Sequence, residues 1–121
     1  MTAPLMVLVA GPYRSGTNGD PEKIAANVEA MTAVALDLYR RGHLPVLGEW
    51  FALPLIEQAE RTDAGGDAFA ELFHPVAERV LERCDGVLRI GGPSRGADEM
   101  VDVARAHGKR VFLSLDDVPP P

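Results

Sequence analysis

Four stretches of the chain have the hydrophobic pattern of strands in a parallel sheet. The first is a continuous apolar run at residues 5–10, which Gly11 and Pro12 end. An apolar run of this length without polar alternation is typical of a strand whose two faces are both covered. Similar short strands are predicted at residues 44–47, 86–90 and 110–115. Pro45, in the second strand, favours an edge position or a place among the first residues of that strand.

The segments between these strands carry apolar residues at helical spacing. Asp20, Pro21 and Glu22 form a helix start, with an N-cap acid, a proline in the first turn and an acidic residue after it. The helix that they open is predicted to run to residue 41, just before Gly42, with one apolar stripe. Further helices are predicted at residues 53–60, 68–83 and 97–107. Between the first two of these, residues 62–67 are expected to form a mobile loop.

The alternation of strands and helices predicts the fold class. The order β-α-β-α-β-α-β indicates a parallel sheet with helices on both faces. We therefore expect a three-layer α/β/α domain, flavodoxin-like or Rossmann-like, with a sheet of four or five strands. This single domain is predicted to span residues 1–118, and the proline tail at 119–121 is expected to be disordered or extended. In such folds ligands bind at the carboxyl ends of the strands.

Composition narrows the function classes. The chain has 121 residues and a net charge of −6, which argues against a nucleic-acid polymer as its partner. Its apolar runs are too short for a membrane span or a signal peptide, so no membrane partner and a cytoplasmic location are expected. The lone cysteine, Cys84, excludes an intrachain disulfide and is expected to be a buried core residue. No residue cluster has metal-ligand spacing, and neither a metal nor another cofactor is expected.

A glycine-rich loop follows the first predicted strand, at residues 11–19. Its glycines, among them Gly11 and Gly16, let a ligand approach the backbone closely. Arg14 offers a guanidinium that pairs with phosphate through two hydrogen bonds, and Ser15 offers a hydroxyl. An ordinary surface turn explains the loop equally well, because its spacing is not that of a Walker-type phosphate loop.

A second glycine-rich loop, at residues 91–96, lies directly before a predicted helix. The candidate phosphate ligands in this loop are Gly92, Ser94, Arg95 and Gly96. The free backbone amides at a helix start attract anions, and the helix dipole adds to the attraction. Ser94 is equally suited to be the N-cap of the helix. Because both loops fall at the carboxyl edge of the predicted sheet, we expect a shared phosphate or ribose site there.

Four short motifs lie along nearly the whole chain. They are VAGPYR at residues 9–14, CDGV at 84–87, SRGA at 94–97 and GKRV at 108–111. Together they resemble the nucleoside 2-deoxyribosyltransferase-like superfamily, which includes the deoxynucleoside monophosphate N-hydrolases. The resemblance implies a pocket for a nucleoside or nucleotide, chemistry at an N-glycosidic bond, and homodimers or larger assemblies in which a neighbouring subunit often completes the pocket.

The resemblance also implies where two carboxylates should lie. In this family a glutamate four residues beyond the loop glycine attacks the sugar, whose oxocarbenium character an anion stabilises. A second acid lies eight residues before the aspartate that leads the third strand. Counting forward from Gly96 reaches Met100. Counting back from Asp85 reaches Ala77, so both carboxylates are missing at the matching positions.

Other polar residues are candidates for the chemistry. The substitutes for the nucleophile are Glu99, Asp98 and Asp85. Asp98 and Glu99 fall in the first turn of a predicted helix, where the dipole alone favours an acid. Asp85 is explained nearly as well as an aspartate in the turn that leads the third strand. Tyr13 is expected to stack on a base or sugar or to orient a carboxylate. The residues expected in the pocket wall are Glu49, His74 and Met100.

Two functions fit these observations. The first is an enzyme, an N-glycosidic-bond hydrolase or 2-deoxyribosyltransferase that acts on a nucleoside or nucleotide. The second is a binding module that keeps the nucleotide pocket without the chemistry and senses the nucleotide or presents it to a partner. The replacement of both expected acids, by Met100 and Ala77, favours the second function.

Overall fold

Strands and helices alternate along the chain as the hydrophobic pattern predicts. The computed structural model describes residues 3–62 and 66–121. Within these ranges the elements are β1 Met6–Ala10, α1 Pro21–Arg40, β2 Leu44–Val46, α2 Gly48–Thr62, α3 Ala68–Glu82, β3 Gly86–Arg89, α4 Arg95–Ala106, β4 Arg110–Phe112 and a 3₁₀ turn at Leu115–Asp117. The mobile loop predicted at residues 62–67 lies in part outside the described residues.

The described strands form one parallel sheet of four strands in the order β2-β1-β3-β4. Leu8 at the centre of β1 is opposite Val46 of β2 on one side and Val87 of β3 on the other. The predicted three-layer α/β/α fold, flavodoxin-like or Rossmann-like, is confirmed, and the edge position predicted for the strand that contains Pro45 is confirmed with it. The chain leaves β1 toward one edge of the sheet and leaves β3 toward the other, which opens a crevice at their carboxyl ends.

Helices cover both faces of the sheet. On one face Met31 of α1 belongs to the same buried cluster as Val7 of β1. On the other face Leu81 of α3 and Ala104 of α4 share a buried cluster with Leu8. Each fully buried Leu or Val contributes about 1.5–3 kcal/mol, so these two clusters hold the layers together. Among the described residues, no helix is both long enough and apolar enough to cross a membrane.

The helix after β2 is longer than the sequence predicts. The predicted helix covers residues 53–60, whereas α2 begins at Gly48 and places Pro54 in its interior. Proline lacks the amide that would continue the helical hydrogen bonds, which is why Pro54 indicates a later start. A Cβ atom on Gly48 would lie 2.9 Å from the Cβ of Ala77, so the first turn of α2 is in close contact with α3. Tertiary packing therefore extends this helix beyond its local signals.

Two smaller differences concern the last elements. Helix α4 begins at Arg95, two residues before the predicted start at Ala97, because the Ser94 hydroxyl accepts a hydrogen bond from the Ala97 amide at 3.2 Å and caps the helix there. Strand β4 ends at Phe112, three residues before the predicted end, and the chain then enters the 3₁₀ turn.

At the amino edge of the sheet, the last residues of the chain are held by a hydrogen bond and by packing. His43 is buried, its Nδ1 accepts a hydrogen bond from the Leu5 amide at 3.0 Å, and its Nε2 lies 2.7 Å from the Pro119 carbonyl oxygen. A Cβ on Gly42 would lie 2.6 Å from the Pro121 ring, so the end of the chain packs on this edge. Of the two expectations for the proline tail, disorder is therefore wrong.

Candidate functional site

A pocket of about 140 Å³ lies at the carboxyl end of β1, in the crevice that the topology opens. Its walls come from the last residues of β1, the first glycine-rich loop, the starts of α2 and α4, and one face of α3. This is the edge of the sheet at which the sequence predicts a ligand. Both glycine-rich loops reach it.

The first glycine-rich loop is held in place by its own hydrogen bonds. The Thr17 hydroxyl donates to the Arg14 carbonyl at 2.6 Å, and the Asn27 side-chain amide donates to the Tyr13 carbonyl at 2.8 Å. Thr17 is buried, so its hydroxyl stabilises the loop instead of facing a ligand. These bonds fix the backbone from which Tyr13, Arg14 and Ser15 line the pocket.

Arg14 places a positive charge at the mouth of the pocket. Its guanidinium carbon lies 3.7 Å from the centre of the Phe69 ring, a cation–π distance. Within residues 3–62 and 66–121, no carboxylate forms an ion pair with this guanidinium. Its hydrogen-bond donors are therefore free to meet an anionic ligand.

The start of α4 adds backbone donors to the same pocket. Ser94 is buried and caps the helix, while Gly96 lines the pocket. The first bond within the helix is donated by the Asp98 amide to the Ser94 carbonyl, so the Arg95 and Gly96 amides have no partner inside the helix. Amides in this position, together with the positive end of the helix dipole, attract an anion.

Two glycines bring the helix starts into contact with α3. A Cβ on Gly96 would lie 2.5 Å from Cε1 of His74, and a Cβ on Gly48 would lie 2.9 Å from the Cβ of Ala77. Any side chain at either position would push the helices apart. His74 and Ala77 therefore form the back wall between the starts of α2 and α4.

Aromatic rings form the side of the pocket next to Arg14. The ring centres of Tyr13 and Phe73 are 4.9 Å apart, and those of Phe69 and Phe73 are 4.5 Å apart. These distances are typical of favourable aromatic pairs. The cluster gives the pocket an aromatic wall.

Glu49 places a carboxylate in this otherwise apolar and cationic pocket. It is the second residue of α2, and the whole residue is only 8% exposed. Burial raises the pKa of Glu49, while its own backbone amide acts in the opposite direction. Its Oε2 atom is buried and has no hydrogen-bond partner among the described protein atoms.

The structure brings most of the predicted site residues together. The predicted residues that line the pocket are Gly11, Tyr13, Arg14, Ser15, Glu49, His74, Ser94, Gly96 and Met100. Ala77, at the position of the second expected acid, lines it as well. The predicted ligands Gly16 and Gly92 are exposed and do not line the pocket. Arg95 does not line the pocket, and its side chain is 96% exposed. Only its backbone amide therefore remains as a donor for an anion at the helix start.

The three predicted substitute acids do not reach the pocket. Asp98 forms an ion pair with Arg89 of β3 at 3.0 Å and does not line the pocket. Glu99 is half exposed and lies 4.0 Å from the solvent-facing Arg95 guanidinium. Asp85 lies at the opposite edge of the sheet, where its carboxylate accepts a hydrogen bond from the Met6 amide at 2.8 Å.

Sequence reasoning missed two aromatic residues of the site. Phe69 and Phe73 are predicted only as part of the buried side of their helix, but both line the pocket. Their spacing of four residues, which puts both rings on one helix face, is the signal that could have found them. Cys84 is buried as predicted, and burial raises the pKa of its thiol to about 11.

Within the described ranges, no group of three or more His, Cys, Asp or Glu residues is arranged to hold a metal ion. Neither a protein-family model nor a curated protein matches this chain. Any assignment of function therefore depends on the geometry and chemistry of the pocket itself.

Proposed function

We propose that this protein binds a nucleoside or nucleotide in the pocket at the carboxyl end of β1. The observation that carries the proposal is the convergence of both glycine-rich loops on one pocket at the switch point of a doubly wound sheet. Pockets at this place in α/β sheets are the usual ligand sites of the fold. The pocket also joins groups that suit the different parts of a nucleotide.

The phosphate is proposed to lie between Arg14 and the start of α4. The unpaired guanidinium and the Arg95 and Gly96 amides supply charged and neutral donors for its oxygens. The base is proposed to stack beside Tyr13 and Phe73, whose rings already form an aromatic cluster. A flat ring gains both apolar burial and favourable ring geometry there.

Binding without cleavage is the function that the pocket supports best. Met100 and Ala77, which replace the two acids implied by the family resemblance, both line the pocket and are both buried. A thioether and a methyl group cannot stabilise the positive charge that develops on the sugar when an N-glycosidic bond breaks. A nucleotide-sensing or nucleotide-presenting module is therefore the preferred proposal.

Cleavage or transfer at an N-glycosidic bond is the second candidate, and one observation favours it. Glu49 places a carboxylate in the same pocket, although on the wall that α2 forms. In this version of the proposal its oxygen would have to reach the anomeric carbon of the bound sugar. Release of free base from a nucleoside monophosphate, lost in Glu49→Gln, is the result expected of an enzyme.

A homodimer is part of the proposal as well. Trp50, Phe51 and Leu55 of α2 are each about half exposed, and the first residues of the same helix line the pocket. Exposed apolar residues grouped on one helix face favour contact with another chain. Light scattering of the wild type and of Phe51→Glu tests this, with a dimer expected only for the wild type. A cytoplasmic location stays a prediction.

The test of nucleotide binding is a thermal-shift and calorimetry screen of nucleosides, nucleoside monophosphates and ribose phosphates. A ligand that binds the folded state raises the melting temperature by mass action. Arg14→Ala is expected to weaken binding of the best monophosphate by about ten- to a hundredfold, the effect of losing a charged hydrogen-bond donor. The parent nucleoside is expected to bind both proteins equally.

Arg79→Ala is the matched control, because it removes the same charge from an exposed position on α3. It is expected to leave binding unchanged. If none of these compounds shifts the melting temperature of the wild type, the proposed function is wrong. Equal weakening by both substitutions would show a long-range charge effect and would overturn the phosphate position.

A further inference from the structure

The hydrogen-bonding capacity of the buried Glu49 carboxylate is not satisfied by the described protein atoms. The residue is more than nine-tenths buried, yet Oε2 has no hydrogen-bond partner among the described protein atoms. A buried carboxyl oxygen without a partner costs stability. Groups of this kind are found where a ligand supplies the missing partner.

The position of Glu49 is fixed by the packing of α2 on α3. Gly48, directly before it, is so close to Ala77 that even a Cβ atom would clash there. The backbone that carries Glu49 therefore cannot shift toward α3, and its side chain extends along the pocket wall from the first turn of the helix. This is the preorganisation that a specificity residue requires.

Tyr13 lines the pocket together with the positively charged Arg14 and the carboxylate of Glu49. Burial raises the pKa of Tyr13, the Arg14 guanidinium lowers it, and the Glu49 carboxylate raises it. Both charges therefore lie within electrostatic range of the same phenol group. The pocket therefore holds, around Tyr13, both the donors of Arg14 for an anion and the hydrogen-bond acceptor of Glu49.

The aromatic cluster and Glu49 line the same pocket. The Tyr13 and Phe73 rings are 4.9 Å apart, and Phe73 lies one helical turn before Ala77, whose Cβ faces the start of α2. A planar ring bound against this cluster therefore lies in the cavity that also holds the Glu49 carboxylate. A carboxylate at the edge of a heterocycle accepts hydrogen bonds from exocyclic amino groups.

From this juxtaposition we infer that Glu49 is the specificity residue of the pocket and selects a ligand whose planar ring carries an amino group. The inference rests on the proposed nucleotide binding and narrows it to bases of the adenine, cytosine or guanine type. Hypoxanthine and uracil carry a carbonyl oxygen where adenine and cytosine carry the amino group, so at that position an acceptor would face the Oε2 acceptor. A site built to pair a buried polar group rejects ligands that lack the matching group far more strongly than it rejects a change of size.

The experiment compares pairs of monophosphates that differ by an amino group and a carbonyl oxygen. Dissociation constants for AMP and IMP, and for CMP and UMP, are measured by calorimetry at pH 7.5 with the full chain. In the wild type the amino member of at least one pair is expected to bind tenfold or more tightly than its partner. In Glu49→Gln, whose amide both donates and accepts, the ratio is expected to fall to about threefold or less.

Glu99→Gln is the matched control, because it makes the same change at a half-exposed carboxylate that does not line the pocket. It is expected to keep the wild-type ratio. Circular dichroism and the melting temperature of both variants show whether each one folds. Because Gln has nearly the shape of Glu, a folded Glu49→Gln protein is expected.

The outcomes separate this inference from the proposed function. If no monophosphate binds the wild type, the proposed function fails and the inference falls with it. If monophosphates bind but the amino and carbonyl members bind alike, or if Glu49→Gln keeps the wild-type ratio, the inference alone is overturned. A Glu49→Gln protein that loses only its preference between AMP and 2′-deoxy-AMP would also overturn it, because Glu49 would then recognise the sugar.

Discussion

The two edges of the sheet use similar polar residues in opposite ways. At the amino edge, His43 and Asp85 reach across the fold and form hydrogen bonds with the Leu5 and Met6 amides. At the carboxyl edge, Glu49 is buried like His43, but its Oε2 atom has no hydrogen-bond partner within residues 3–62 and 66–121. The polar side chains at the amino edge stabilise the fold through hydrogen bonds, whereas Glu49 at the carboxyl edge lines a pocket.

This difference separates structural polar residues from functional ones without any knowledge of relatives. A buried polar group that is fully hydrogen-bonded stabilises the fold, so its removal costs free energy of unfolding. A buried polar group without partners destabilises the free protein, so its removal relieves a penalty and impairs only ligand recognition. Substitutions at the two edges are therefore expected to change stability in opposite directions.

The largest effect is expected for His43→Ala. The substitution leaves the Leu5 amide and the Pro119 carbonyl without their partner and opens a cavity at the amino edge. We expect the free energy of unfolding to fall by about 3 kcal/mol, measured by urea denaturation. His107→Ala, at an exposed histidine, is the control and is expected to change it by less than about 0.5 kcal/mol. A loss below about 1 kcal/mol for His43→Ala would contradict the structural role.

Asp85→Ala is expected to have the next largest effect. The Asp85 carboxylate accepts a hydrogen bond from the Met6 amide at 2.8 Å, next to the strand pairing of β1 and β3. Because Asp85 is exposed to solvent, loss of this hydrogen bond to a charged group is expected to cost about 1–1.5 kcal/mol of unfolding free energy. Asp116→Ala removes a carboxylate that is 90% exposed and is expected to have almost no effect. Equal losses of unfolding free energy in Asp85→Ala and Asp116→Ala would show that the Asp85 hydrogen bond does not stabilise the fold.

Glu49→Met is expected to act in the opposite direction. It replaces the buried carboxyl with an apolar chain of similar length, and we expect the free protein to gain about 1 kcal/mol in urea denaturation. Nucleotide discrimination is expected to be lost at the same time. A folded Glu49→Met protein that is less stable than the wild type would show that Glu49 stabilises the fold.

The pH dependence of this gain has a defined sign. Burial raises the pKa of Glu49 in the folded state, so the folded state binds the proton more tightly than the unfolded state. The stability gap between Glu49→Met and the wild type is therefore smallest below the ordinary pKa of glutamate. It widens as the pH rises through the window between the ordinary and the raised pKa, and is largest above the raised value. A gap that narrows as the pH rises would contradict this assignment.

The smallest effect is expected for Asp98→Asn, which tests an acid that the sequence suggests as a nucleophile. Its carboxylate pairs with Arg89 outside the pocket, so binding of the best monophosphate is expected to change less than twofold in calorimetry. The unfolding free energy is expected to fall by less than about 1 kcal/mol, because the Asp98 side chain is 67% exposed. A tenfold loss of affinity would place Asp98 in the site after all.

Much of the fold could be predicted because its signals are local. The apolar run of β1 and the proline at the start of α1 are read directly from neighbouring residues, and both elements are found within one residue of their predicted bounds. The start of α2 could not be predicted, because it depends on the contact between Gly48 and Ala77, which lie far apart in the sequence. The same long-range packing decides which part of α2 faces the pocket.

The candidate site was predictable to the extent that it follows from topology. Tyr13, Arg14 and Gly96 line one pocket because both loops follow parallel strands, and the carboxyl ends of parallel strands meet at one edge. The roles of the acids did not follow in the same way. In the sequence Glu49 precedes a predicted helix and Glu99 looks like a first-turn helix acid, and neither pattern shows which carboxylate is buried. Only the folded protein separates them, because Glu49 is 8% exposed and Glu99 is half exposed.

The sequence by itself determined the order of elements, the parallel sheet and the edge at which a ligand site would form. These features follow from hydrophobic periodicity, helix caps and the handedness of parallel connections, all of which act over short distances along the chain. Only the tertiary structure decided that Asp85 forms a hydrogen bond at the amino edge and that Glu49 is buried at the carboxyl edge, with Oε2 unpaired among the residues that the structure describes. Hydrogen bonding and desolvation depend on which distant residues surround a group, and no local pattern encodes that environment.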